Sequence, residues 1–129
     1  MNPKDRAGAR KAPLSPVPAT VLLEVGCAML EGALKYGRHN WREIPVHAGA
    51  YYDAAMRHLM AWWEGEDEDP DSGLHHVTKA IATLVVLRDA MLRGAVVDDR
   101  PPPAPPGWMA ELNARAAALA ERHRKREAA

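Results

Sequence analysis

The chain has 129 residues, 47% hydrophobic and 26% charged, which bounds it to one globular domain with a modest core. Seventeen Lys and Arg balance seventeen Asp and Glu, which argues against a dedicated nucleic-acid binder but leaves room for a nucleotide, which needs only a few local donors. A single cysteine, Cys27, excludes an internal disulfide framework, and no apolar run approaches the roughly 18–20 residues of a membrane span. The basic N-terminus, MNPKDRAGARKAPLSPVP, lacks the hydrophobic stretch of a secretory signal, so a soluble cytoplasmic protein is the expectation.

Residues 1–18 hold four prolines and little apolar content and read as an extended arm. A helical core domain follows over 19–93. Its first helix spans about 19–36, with Thr20 as a cap, Leu22, Val25, Met29 and Ala33 as an apolar stripe, and Gly37 as the C-terminal stop. After a loop with Asn40, Trp41 and Pro45, a second helix runs over about 50–64. Tyr51, Ala55, His58 and Trp62 form one face of it, and Tyr52, Met56, Leu59 and Trp63 an adjoining stripe. Pro70 breaks the chain, and Asp71 or Ser72 can cap a third helix over about 73–93. That helix is apolar almost all round from Ile81 to Leu87, as expected of one placed between others. Residues 94–107 form a proline-rich linker, and a C-terminal helix occupies 108–129. No strand alternation or hairpin signal stands out. The fold class is therefore all-α: a small bundle of three main helices plus a C-terminal helix, completed by oligomerisation because its helices carry more apolar surface than one copy covers.

Six acidic residues fall between Glu64 and Asp71. Glu64/Asp67, Glu66/Asp69 and Glu68/Asp71 all have an E-x-x-D spacing that suits Mg²⁺, which bridges carboxylates to substrate phosphates. A solvated acidic loop explains the same run, and dense acidic runs produce overlapping matches by chance. His76, at the mouth of the third helix, suits acid–base work, and His58 suits either that role or a hydrogen-bonded place in the core. Glu24 and Glu31 share a stripe on the first helix. They either reach the acidic turn or stay at the surface, with Glu31 pairing Lys35 for roughly a few tenths of a kcal/mol. In KYGRHNWR, residues 35–42, cations, an amide and two aromatics surround a helix end. That loop can stack a base and hold phosphate, or simply cap the helix with Trp41 on the core. No P-loop, dinucleotide-binding glycine motif, zinc-protease motif or nucleophile elbow is present.

Four segments in this order resemble the phage-borne dATP/dGTP diphosphohydrolase N-terminal-domain family: NPKDRAGARKAPLSPVP, GALKYGRHNWR, AAMRHLMAWWEGEDEDPDSG with the following His76, and VVDDRPPP. The resemblance covers about residues 2–106. Lys35, Tyr36, Gly37, Asn40 and Trp41 match the family's K-Y-G-x-x-N-W, and Arg57 and His58 its R-H, with Asp53 one turn earlier. Glu66, Asp69, Asp71, Ser72, Gly73 and His76 match its G-E-x-x-D-x-[DE]-S-G-x-x-H. Lys79 stands where the family often has a second histidine. Lys4, Asp5 and Lys11 match the pattern of the arm, which by analogy closes over a ligand.

The resemblance implies hydrolysis of a purine deoxynucleoside triphosphate, dATP or dGTP, to its monophosphate and pyrophosphate, in the host cytoplasm of a phage. A more distant similarity to MazG-like all-α pyrophosphohydrolases implies Mg²⁺, or Mn²⁺ in its place, held by helical carboxylates in a homodimer or homotetramer. Those enzymes carry E-E-x-x-E, which this chain lacks. On this resemblance Glu66, Asp69 and Asp71 are the metal ligands, and Asp53, His58 and His76 are catalytic. Lys35 and Arg57 hold the triphosphate, while Tyr36, Asn40 and Trp41 contact the base. Two other readings stay open: a non-catalytic nucleotide- or protein-binding bundle, and a phage structural or interaction protein.

Overall fold

The structure, a computed structural model, describes residues 1–129. Five helices and one small sheet follow in the order α1 (Pro3–Gly8), α2 (Ala19–Tyr36), β1 (Val46–His47), α3 (Ala48–Trp63), α4 (His76–Leu92), β2 (Val96–Val97) and α5 (Trp108–Ala128). A 3₁₀ turn covers Asn40–Arg42. The all-helical expectation holds, and α2 has the bounds its stripe predicts. Its start is uncapped by any side chain, however, and Pro18 rather than Thr20 stands at the N-cap.

α4 packs against α3 on one side and α2 on the other, which is why its sequence is apolar around most of its circumference. The close contacts are made by small residues. Val25, Ala28 and Ala82 form one buried cluster, and Trp41, Val46 and Ala90 a second, with Met29 packed against both. Ala90 is fully buried, at the centre of the second cluster. The core is thin, with 11 of 129 residues buried.

β1 and β2 pair in parallel, Val46 opposite Val96 and His47 opposite Val97. Two-residue strands have no alternation to read, so the sequence concealed them. Just beyond, Asp99 Oδ1 accepts the Gly49 N–H at 2.7 Å, capping an unpartnered amide in the first turn of α3. A Cβ at position 49 would lie 2.9 Å from Asp99 Oδ2, so any larger residue there pushes the capping carboxylate aside. These contacts carry the body through Asp99, past the boundary expected at 93.

The two ends contribute no buried residue. The arm expected to be extended winds into α1 at Pro3–Gly8: Pro3 presets the first helical turn, and the Asn2 side chain accepts the Lys4 N–H at 2.8 Å. Every residue of α5 is exposed, including Trp108, Leu112 and Leu119. No helix is long and apolar enough to cross a membrane.

Candidate functional site

α3 ends in a Schellman motif. The Gly65 amide donates to Trp62 O and the Glu66 amide to Ala61 O, both at 3.0 Å, with Gly65 at φ +104, a conformation glycine adopts readily. This turn sends Glu66 back toward the helix bundle. The next residues fold into a tight loop rather than the first turns of a helix. The Asp69 amide donates to Leu74 O at 2.8 Å, the Gly73 amide to Asp69 O at 2.7 Å, and the His76 amide to Asp67 O at 2.9 Å. Asp69 is its organiser: Oδ1 accepts the Asp71 amide at 3.1 Å and Oδ2 the Ser72 hydroxyl at 3.2 Å. Ser72 Oγ in turn accepts the Leu74 amide. With Ser72 and Asp69 so engaged, neither Asp71 nor Ser72 caps α4. His75 does, its Nδ1 accepting the Val77 amide at 3.0 Å.

This folding brings three predicted residues together. His76, in the first turn of α4 and 5% exposed, donates from Nε2 to Glu66 Oε1 at 2.7 Å. On the opposite side of its ring, Nδ1 lies 2.9 Å from Nδ1 of His58 on α3, the two rings sharing one proton. Burial holds the His58 pKa below the ordinary histidine value. The charge of Asp69 opposes that shift, and His76, Lys79 and Arg57 add to it.

A second cluster joins α2 to the same end of α4. Glu31 Oε1 pairs with Lys35 Nζ at 2.6 Å, while its other oxygen accepts from Lys79. Lys35, then Lys79, holds the Glu31 carboxyl below its usual range. Lys35 also reaches Asp71 at 3.2 Å, and the Thr78 hydroxyl donates to Glu24 at 3.3 Å. Lys79 is thus the partner that α4 supplies to Glu31. It stands out in the sequence only as a departure from the family pattern, and nothing local in the sequence announces Thr78.

No three His, Cys, Asp or Glu side chains stand together as a ligand set for a metal ion. Glu66 is turned to His76, both oxygens of Asp69 are used inside its loop, and Asp71 faces Lys35. The three carboxylates expected to share a cation do not fit one in this arrangement. The reason is physical: E-x-x-D aligns carboxylates on a helix, and this segment is a closed loop. Asp53 and Arg57 are exposed on α3, away from the ion pairs just described.

Beside Lys79 lies a cleft of about 170 Å³ between α2, α3 and α4. Tyr36, Tyr51, Trp41 and Asn40 line it over a floor of small residues such as Ala28, Gly32 and Ala82. Trp41, expected as a stacking platform, is 8% exposed and anchored: its Nε1 donates to Asp89 Oδ2 at 2.7 Å. Arg42 forks onto the same carboxylate at 2.8 and 3.1 Å. Arg42, then Trp41, lowers the Asp89 pKa to about 2. Gly37, at φ +92 and ψ 149, makes the glycine-favoured bend that leads into this anchor.

The chain is 32% identical over 90 residues to a protein named dATP/dGTP diphosphohydrolase from Salmonella phage PMBT28. The match covers 70% of this chain but 30% of that relative, so this chain spans under a third of its length. No solved structure matches the chain. The profile of the family described as "dATP/dGTP diphosphohydrolase, N-terminal" matches residues 1–100, the α1-to-β2 body with its Asp99 cap, and the chain belongs to that family.

Proposed function

We propose that this chain hydrolyses the purine deoxynucleoside triphosphates dATP and dGTP to monophosphate and pyrophosphate. The observation that carries the reading, in a member of this family, is Lys79: it lines an aromatic cleft and stands one turn of α4 from His76 of the histidine pair. The walls suit a purine, which presents a flat apolar face and takes Tyr36 or Tyr51 against it. Asn40 offers an amide donor and acceptor to the base edge. Lys35 and Lys79 supply cationic ends for phosphate oxygens, with Arg57 reached by the far end of the chain of phosphates. His58 and His76 serve the attacking water. Mg²⁺ enters this reading with the substrate, as the complex a triphosphate forms with that ion, and no step here runs through a metal held by the protein.

The test is pyrophosphate release from the four dNTPs. Release from dATP and dGTP, lost on His58→Gln, is the expected result; binding with no release under Mg²⁺ or Mn²⁺ sinks it. That second outcome is what a non-catalytic nucleotide-binding bundle predicts, a reading favoured by the absence of a gathered ligand set. We infer also that two or four copies assemble, because Leu34 and Trp63 remain 80% and 78% exposed on the helices of the body. Light scattering on the same preparation checks the copy number, and a monomer removes this part.

A further inference from the structure

His76, Glu66 and His58 make two hydrogen bonds whose directions depend on each other. A carboxylate oxygen can only accept, so the 2.7 Å contact places a proton on Nε2 of His76. If the His76 ring holds that one proton alone, its Nδ1 is a lone pair. The 2.9 Å contact between the two Nδ1 atoms then requires the proton between them to belong to His58. With its own proton on Nδ1, neutral His58 has a lone pair at Nε2. That atom makes no hydrogen bond within the protein, and its residue is only partly buried.

We infer that Glu66 and His76 act as positioning residues that hold His58 in the tautomer whose Nε2 is the general base for the attacking water. This rests on the proposed hydrolysis and deepens it, and it assigns Glu66 a role other than metal ligand. In the step, a water O–H proton passes to Nε2 of His58 as the water oxygen bonds to the α-phosphorus. The bond from the α-phosphorus to the bridging oxygen breaks, and pyrophosphate leaves with its electron pair. His58, now an imidazolium, keeps its Nδ1–H on His76 and returns the added proton to solvent or product. Burial, which keeps the His58 ring neutral near pH 7, favours the base form before each turnover.

The arrangement is one that a single atom change inverts. In Glu66→Gln the amide nitrogen can donate to Nε2 of His76. With the amide nitrogen turned to Nε2, the His76 proton moves to Nδ1, the bond between the rings reverses and Nε2 of His58 carries the proton; with the amide oxygen turned there, the parent tautomers stay. The Glu66 side chain is 53% exposed, so the isosteric change leaves packing intact.

The experiment is in two parts on the full chain. Ring-nitrogen ¹H–¹⁵N correlation spectra, at a pH above the histidine titration, should show the proton on Nδ1 of His58 and on Nε2 of His76, and both moved in Glu66→Gln. Steady-state kinetics on dATP and dGTP should show Glu66→Gln lowering kcat on the order of 10²–10³-fold, with KM and the Mg²⁺ concentration for half-activation nearly unchanged. Reversed tautomers in the unmodified chain overturn the relay while hydrolysis itself stands. An unchanged kcat in a variant whose spectra show both protons moved overturns it as well, as does a loss that added Mg²⁺ restores, which would make Glu66 a ligand after all. A chain that releases no pyrophosphate overturns the hydrolysis, and with it the role of His58 as base.

Discussion

At the C-terminal end of α4, Asp89 accepts from the Trp41 indole and twice from the Arg42 guanidinium, so its carboxylate is filled. At the N-terminal end, His76 is held between a carboxylate and a second ring, and the array runs out at a nitrogen with no partner. Both assemblies join an aromatic N–H to an acid, Trp41 to Asp89 across 48 residues and His76 to Glu66 across 10. One closes on itself and fastens the KYGRHNWR loop to the body. The other leaves a lone pair unspent. A saturated polar network holds structure, while an unsaturated one is available for chemistry.

The sharpest way to break the comparison is to remove the anchor. Trp41→Ala deletes a nearly buried ring together with the indole donor, and should destabilise the chain by about 3–5 kcal/mol in urea unfolding. The Glu66→Gln change should leave the urea midpoint close to that of the parent. If both changes unfold the chain equally, the division into a structural end and a chemical end is wrong.

Acid separates the two ends next. Asp89 has its pKa depressed from 3.8 to about 2 in the folded state, so the stability it contributes is present above pH 4 and lost as pH falls toward 2. His58 has a depressed pKa also, but as a base: the unfolded chain binds its proton first, so stability declines as pH falls below 6.5. Thermal unfolding from pH 8 to pH 2 should show both arms. His58→Gln should flatten the upper one and Asp89→Asn the lower one. A single arm that neither change moves would count against both assignments.

The smallest effect concerns the sheet and cap that carry the body past residue 93. Gly49→Ala puts a methyl carbon 2.9 Å from the Asp99 carboxylate and should displace the cap, costing about 1 kcal/mol. Asp99→Ala should cost about the same, and the double change little more, because both remove one hydrogen bond. Additive losses would show that Asp99 does something besides cap α3.

Helix positions were legible because periodicity is local, although the stripes are only partly buried: Val25 of α2 and Ala55 of α3 go inside, while Leu22, Tyr52, Leu59, Trp62 and Trp63 stay exposed, since one copy has no further layer to cover them. The role of individual acidic residues was not. Asp69 reads as a ligand from its spacing, yet its carboxylate is spent holding the turn that Pro70, Ser72 and Gly73 make. Glu66 reads the same way and instead meets His76, because a Schellman turn rather than a continuing helix sets its direction. The partners of Asp89 lie 47 and 48 residues away, and no local pattern reports them.

By itself the sequence determined three things about this protein: its helical class, its membership of the diphosphohydrolase N-terminal family through ordered motifs, and the presence of His58 and His76 near a run of acids. These follow from residue identities and short spacings. Which acid meets which histidine, on which ring nitrogen, was decided only when α3 and α4 packed. A hydrogen bond has a direction and a length, and only the docking of two helices brings Nδ1 of His58 within 2.9 Å of Nδ1 of His76.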